Sequence, residues 1–215
     1  MLKILGNKNT LFDHYLAQLR DVEIQKDRMR FRKNLERIGE IFAYEISKEF
    51  QYEEKEISTS LGISNVPVIA DDPVLITLLR AGLPIHQGML NMFDKAQNGF
   101  ISSYRKYNKE EFTIKIEYVS CPDLNGKTVI LTDSMIATGE SMVQAMHELT
   151  AFGEAKQIHV VTVLASDEGI EKIRKTFSKE KVSLWVGAIE HEMTARAFLV
   201  PGLGDAGDLA YGAKE

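Results

Sequence analysis

Apolar residues recur at helical spacing twice near the start of the chain: Phe12, Tyr15, Leu16 and Leu19, then Phe31, Leu35, Ile38, Phe42 and Ile46. That period predicts a pair of amphipathic helices, each with one face to bury. Further along the pattern changes. "DDPVLITLLR" (71–80), "KTVILTD" (127–133), "QIHVVTVLAS" (157–166) and "VSLWVGAIE" (182–190) carry short continuous apolar runs, as strands buried on both faces require. "NGFISSYR" (98–105) reads as another strand. "EEFTIKIEYVS" (110–120) alternates Phe112, Ile114, Ile116 and Tyr118 with polar neighbours, which predicts a half-exposed strand of a hairpin. Helical signals fall between the strands. Pro84 opens one helix, Met142, Ala145, Met146 and Leu149 form the face of a second that Gly153 can end, and Ile170, Ile173 and Phe177 mark a third. Strands alternating with helices imply an α/β fold, a mostly parallel sheet flanked by helices. Ligands of such sheets bind at the carboxyl ends of the strands.

One strand end stands out. "VILTDSMIATGES" (129–141) runs as a core strand, stops at Asp133, and passes through small and hydroxyl residues into the helix "SMVQAMHELTAF". Free N–H groups at a helix start, ringed by small side chains, suit an anion, and the helix dipole acts in the same direction. Thr138 and Ser141 add hydroxyl donors. A carboxylate repels phosphate but accepts hydrogen bonds from sugar hydroxyls, so the acid and the turn together suit a sugar phosphate. The same residues also suit an ordinary strand-to-helix turn with a Thr or Ser cap, and the pattern alone leaves both open. The glycines match neither the P-loop nor the dinucleotide fingerprint.

Composition narrows the classes. A chain of 215 residues with 44% hydrophobic and 27% charged content suits a soluble globular protein. The net charge of -5 gives no general attraction to nucleic acid or an anionic membrane. A lone cysteine, Cys121, forms no internal disulfide and fits a reducing cytoplasm. No apolar stretch reaches the roughly 18 residues of a membrane span, and the opening apolar run is too short for a secretory signal. The five histidines lack metal-ligand spacing. His86 and Trp185 read as packing residues, and Met135, Met142 and Met146 as core.

"VILTDSMIATGES" resembles the phosphoribosyl-diphosphate (PRPP) signature of type I phosphoribosyltransferases, and "MIATG" is most similar to its version in the uracil phosphoribosyltransferase family. "LLRAGLPIHQGML" (78–90) resembles that family's L-R-A-G-L segment, and "LVPGLGDAGDLAYG" (199–212) its carboxy-terminal V-P-G-L-G-D-A-G-D motif. The order and spacings agree, and the likeness extends to the amino-terminal "FRKNLERIGEIFAYEISK". The resemblance implies a type I phosphoribosyltransferase fold in a single domain over 1–215. Its N-terminal helices and C-terminal loop would form a small hood at the base, and a flexible hairpin would cover the site. The implied reaction joins uracil to PRPP, giving uridine monophosphate and diphosphate, with magnesium accompanying PRPP and no protein ligand assigned to it. Transfer to another base, or a PRPP-binding regulator that binds RNA, are the alternatives. The acidic charge and the base motif argue against both. A homo-oligomer is expected, a dimer or a larger even assembly.

Carried over residue by residue, the resemblance gives Asp133, Arg80 and Asp205 to catalysis. PRPP is expected on Arg80, Arg105, Asp133, Ser134, Ala137, Thr138, Gly139, Glu140, Ser141 and Asp205, and uracil on Leu199, Gly204, Asp205 and Ala206, mainly through backbone. The sequence departs from the family at four points: Ser134 stands for Pro, Glu140 for the second Gly of T-G-G-S, Leu209 for a basic residue, and Tyr211-Gly212-Ala213 for F-G-T. Glu140 is expected to face solvent and to offer only its N–H.

Overall fold

The computed structural model describes residues 1–108 and 111–214, and for residues 104–108 and 111–114 the backbone alone. The first predicted helices are α1 (Leu11–Arg20) and α2 (Arg28–Ser47). The Asp27 carboxylate caps α2 by accepting from the Arg30 N–H at 3.0 Å. Their apolar stripes meet, with the Phe12 and Phe42 rings edge to face at 5.3 Å. Helix α3 (Leu83–Met92) lies close against α2 because Gly88 has no side chain: a Cβ there would sit 1.9 Å from the Glu36 carbonyl oxygen.

The strands are β1 (Leu2–Ile4), β2 (Tyr52–Ser58), β3 (Ile63–Ile69), β4 (Val74–Leu79), β5 (Gln97–Asn108), β6 (Glu111–Ser120), β7 (Thr128–Ile136), β8 (Gln157–Ser166), β9 (Val182–Glu190), β10 (Glu192–Met193) and β11 (Leu199–Val200). Helix α4 (Glu140–Leu149) follows β7, α5 (Asp167–Thr176) follows β8, and α6 (Ala206–Tyr211) lies near the end. The main sheet is seven-stranded, in the order β1-β9-β8-β7-β4-β5-β6, and only the β5–β6 pair is antiparallel.

Alternate residues of the buried strands feed two cores. Leu75, Ile130, Val161 and Trp185 pack with α1, α2 and α3, while Ile76, Leu131, Val160 and Leu184 pack with α4 and α5. This double burial is why these strands read as unbroken apolar runs. Trp185 and His86 are buried as expected, with Trp185 Nε1 donating to His159 Nδ1 at 3.0 Å. No helix among the described residues is long and apolar enough to cross a membrane.

Candidate active site

Strand order reverses at β4. The chain leaves β4 toward β5 through α3 on one face, then returns at β7 and proceeds to β8 through α4 on the other. Such a switch point opens a crevice at the carboxyl ends of the strands. The parallel register Thr77↔Thr132 brings the end of β4 beside β7, which does not stop at Asp133 as its sequence suggested but runs on to Ile136 because β8 continues to pair with it. Thr77 Oγ1 donates to the Thr132 carbonyl at 3.2 Å, and Thr132 Oγ1 to the Ile76 carbonyl at 3.3 Å. Gly82 lets the turn carrying Arg80 press against this pair: a Cβ would lie 2.3 Å from Thr77 Oγ1 and 2.9 Å from the Thr132 oxygen.

Asp133 sits in β7 at this junction. Burial pushes its carboxyl up to about 7, against the lowering effect of the Ser134 and Met135 N–H groups and the Ser134 hydroxyl. The Ser134 N–H donates to Asp133 Oδ1 at 2.7 Å. A proline at 134 could supply neither the N–H nor the hydroxyl, so this departure from the family supports the ionised acid.

Residues 137–141 then turn into α4. Gly139 has φ 78°, the left-handed region, and a Cβ there would meet the Gly169 oxygen at 2.9 Å. The loop is held from behind by α5. Ser166 Oγ donates to the Ala137 carbonyl and accepts from the Gly169 N–H at 2.9 Å. Thr138 and Ser141 are half-buried beside the α4 N-terminus. The Glu140 carboxylate does not simply face solvent as expected: it accepts from Lys172 Nζ of α5 at 2.8 Å.

The C-terminal segment is more regular than an irregular loop. It contains β11, paired antiparallel to β10, and α6, capped by Asp205 Oδ1 accepting from the Asp208 N–H at 3.0 Å. Asp205 is thus engaged in shaping the segment. Leu199 and Ala206 turn their side chains into the core, leaving backbone there to meet a ligand. Gly204 has φ 95°, a conformation that disfavours a side chain. Arginines from three other elements hold the segment. Arg20 reaches the Gly202 carbonyl at 3.0 Å and pairs with buried Glu190. Arg32 donates to the Ala210 carbonyl at 2.6 Å. Arg80 donates to Asp208 Oδ1 at 2.9 Å and to the Gly212 carbonyl at 3.3 Å, while its buried Nε–H has no protein partner.

The fold therefore joins Arg80 to the 205–212 segment and sets the turn that carries it beside Asp133, while α4 and α5 build the 137–141 loop. Gly204 and Asp205 also border a cleft of about 590 Å³ whose far wall is Val22, Gln25 and Arg28. Arg105 lies on β5 opposite Ile114 in register, and its side chain is outside the described residues. Sequence reasoning missed Asp208, Lys172, Ser166, Arg20 and Arg32. Asp208 had a faint local signal in the spacing of two acids across one helical turn. The others act through contacts tens of residues or more away.

A family model described as uracil phosphoribosyltransferase matches residues 7–213. The uracil phosphoribosyltransferase of Porphyromonas gingivalis is 44% identical over 211 residues, covering 98% of this chain and 97% of that protein. The Pyrococcus furiosus uracil phosphoribosyltransferase is 36% identical over 200 residues, covering 92% and 84%. A solved structure of an Aquifex aeolicus protein superposes with a TM-score of 0.86 at 29% identity, covering 100% of this chain and 99% of that one.

Proposed function

The chain belongs to the uracil phosphoribosyltransferase family, and from that premise we propose that uracil and PRPP react at the carboxyl ends of β4 and β7 to give uridine monophosphate and diphosphate. The observation that carries this placement is the β4–β7 register, which sets the Arg80 turn beside Asp133. In the reaction the uracil N1 forms a bond to the anomeric carbon, the bond from that carbon to diphosphate breaks, and the N1 proton is released. Charge moves from sugar to diphosphate, so positioning and charge stabilisation do the work.

Residues 137–141 would take the 5-phosphate on the α4 N-terminus and the hydroxyls of Thr138 and Ser141. Asp133, ionised, would accept from the ribose hydroxyls. Arg80 would face the diphosphate with the exposed part of its guanidinium, a charged donor group positioned by Asp208 and the Gly212 carbonyl. Arg105 is assigned a second cationic role there by position. The N-terminal helices and the C-terminal segment would form the hood over the base. The backbone of 204–206 would read uracil, its N–H and C=O groups meeting the ring carbonyl and ring N–H. Backbone groups cannot exchange those roles, so cytosine would leave donors facing donors and be rejected by roughly 10⁴-fold.

Magnesium would come with PRPP, which would supply its oxygen ligands: among the described residues no group of three or more His, Cys, Asp or Glu side chains could hold a metal ion. Once bound, it would neutralise charge on the departing diphosphate.

A homo-oligomer in the cytoplasm is part of the same reading. In its support, β2 is exposed along its length and β3 at its start, and the hairpin presents Leu61 at 98% and Ile63 at 72% exposure, the kind of surface a second copy could cover. The function is tested by giving purified protein PRPP and magnesium with each free base in turn. Uridine monophosphate should form from uracil at least a thousandfold faster than nucleotide from cytosine. Comparable turnover of cytosine would remove the backbone-reading account, and preference for a purine would remove the base assignment.

A further inference from the structure

The 137–141 loop carries a carboxylate where a phosphate is to bind. Glu140 is the first residue of α4, adjacent to Gly139, so its side chain begins at the very N–H groups that would hold the anion. A free carboxylate there would cancel much of the attraction of the helix N-terminus. The structure does not leave it free. Lys172 Nζ, from the middle of α5, donates to Glu140 Oε1 at 2.8 Å, and both side chains are 38% exposed. Among the other α5 charges, Lys175 pairs with Glu171, and Asp167 with His191. Helix α5 is also the element that braces the loop, through Ser166 on Ala137 and Gly169 against Gly139. One helix therefore fixes the loop's shape and its charge.

We propose that Lys172 is a positioning residue for PRPP: it draws the Glu140 carboxylate toward α5 and neutralises it, keeping the loop receptive to a phosphate dianion. The inference rests on the assignment of 137–141 to the 5-phosphate. An exposed ion pair contributes little to folding. Its effect here is on a ligand charge a few ångströms away, where removing the cation leaves a like-charge repulsion that salt can screen. Lys172→Met should thus raise the KM for PRPP about tenfold at low ionic strength, leave kcat within about twofold, and lose most of its effect at about 0.5 M salt. Lys172→Arg should restore the wild-type KM. The double variant Glu140→Gln/Lys172→Met, which has no charge to neutralise, should return to within about twofold of wild type.

Steady-state kinetics of these variants, with Thr138→Val measured alongside, make the test. A lysine that merely stabilised the fold would lower active enzyme and kcat, and the double variant would be no better than the single one. An unchanged KM for PRPP in Lys172→Met, with a raised one in Thr138→Val, would overturn the Lys172 inference and keep the phosphate loop. Unchanged values in both would overturn the loop assignment and the inference with it.

Discussion

Asp133 interrupts the apolar run of β7 just past the last residue paired with β4, beside the switch point. Its carboxyl, held up to about 7 by burial, has two consequences with opposite signs. The proposed contact with the ribose hydroxyls needs the carboxylate, so kcat/KM for PRPP should fall as pH drops below about 7. Stability runs the other way. The folded group keeps a proton that the unfolded chain releases near 3.8, so its contribution is full below that value, declines as pH rises toward 7 and is gone above it. Asp133→Asn should therefore melt later than wild type at pH 8, by on the order of 2 kcal/mol, with the advantage shrinking toward pH 4. Paired melting curves across pH check this, and a variant less stable than wild type at pH 8 would contradict the burial. Ser134→Pro should move the activity profile to higher pH, because it removes the N–H and hydroxyl that favour the charged form; a pH–rate profile centred where the wild type's is would refute that. Asp133 was legible in the sequence because local pattern exposes it. The Lys172–Glu140 pair was not, since 32 residues separate its members and no periodicity links them.

At the scale of elements, the strands of the main sheet from β4 to β9 were readable because burial on one or both faces leaves an apolar signature. The β2–β3 hairpin was not: Tyr52–Ser58 is exposed throughout, so neither face had to be apolar. Helix α6 was hidden for another reason. Its six residues follow a glycine-rich run, and its start is fixed by the Asp205 cap and by arginines from elsewhere. Those arginines make a prediction. Arg32→Met removes a charged donor to the Ala210 carbonyl, a contact of roughly 1.5–3 kcal/mol, and so should loosen the segment proposed to read the base. We expect the KM for uracil to rise about tenfold with the KM for PRPP little changed. Equal rises in both would place the effect on the whole site instead.

For the whole molecule, the fold explains how residues about 50 to 125 positions apart in sequence come to one crevice. Reversal of strand order at β4 opens the crevice, α5 stiffens the 137–141 loop from one side, and the arginines of α1, α2 and the β4–α3 turn hold the C-terminal segment from the other. The exposed hairpin extends from this body and should lie in a subunit contact. Light scattering should give a mass at least twice that of the 24.2 kDa chain, and a monomer at working concentration would contradict the assembly. The proposed chemistry depends most on where the ribose sits. Initial rates of uridine monophosphate formation at low PRPP and pH 8, for wild type and Asp133→Asn side by side, test that directly. Losing a charged partner of the ribose hydroxyls, worth roughly 1.5–3 kcal/mol, should slow the variant ten- to a hundredfold while it remains folded. A variant as fast as wild type would show that the sugar does not lie at the end of β7.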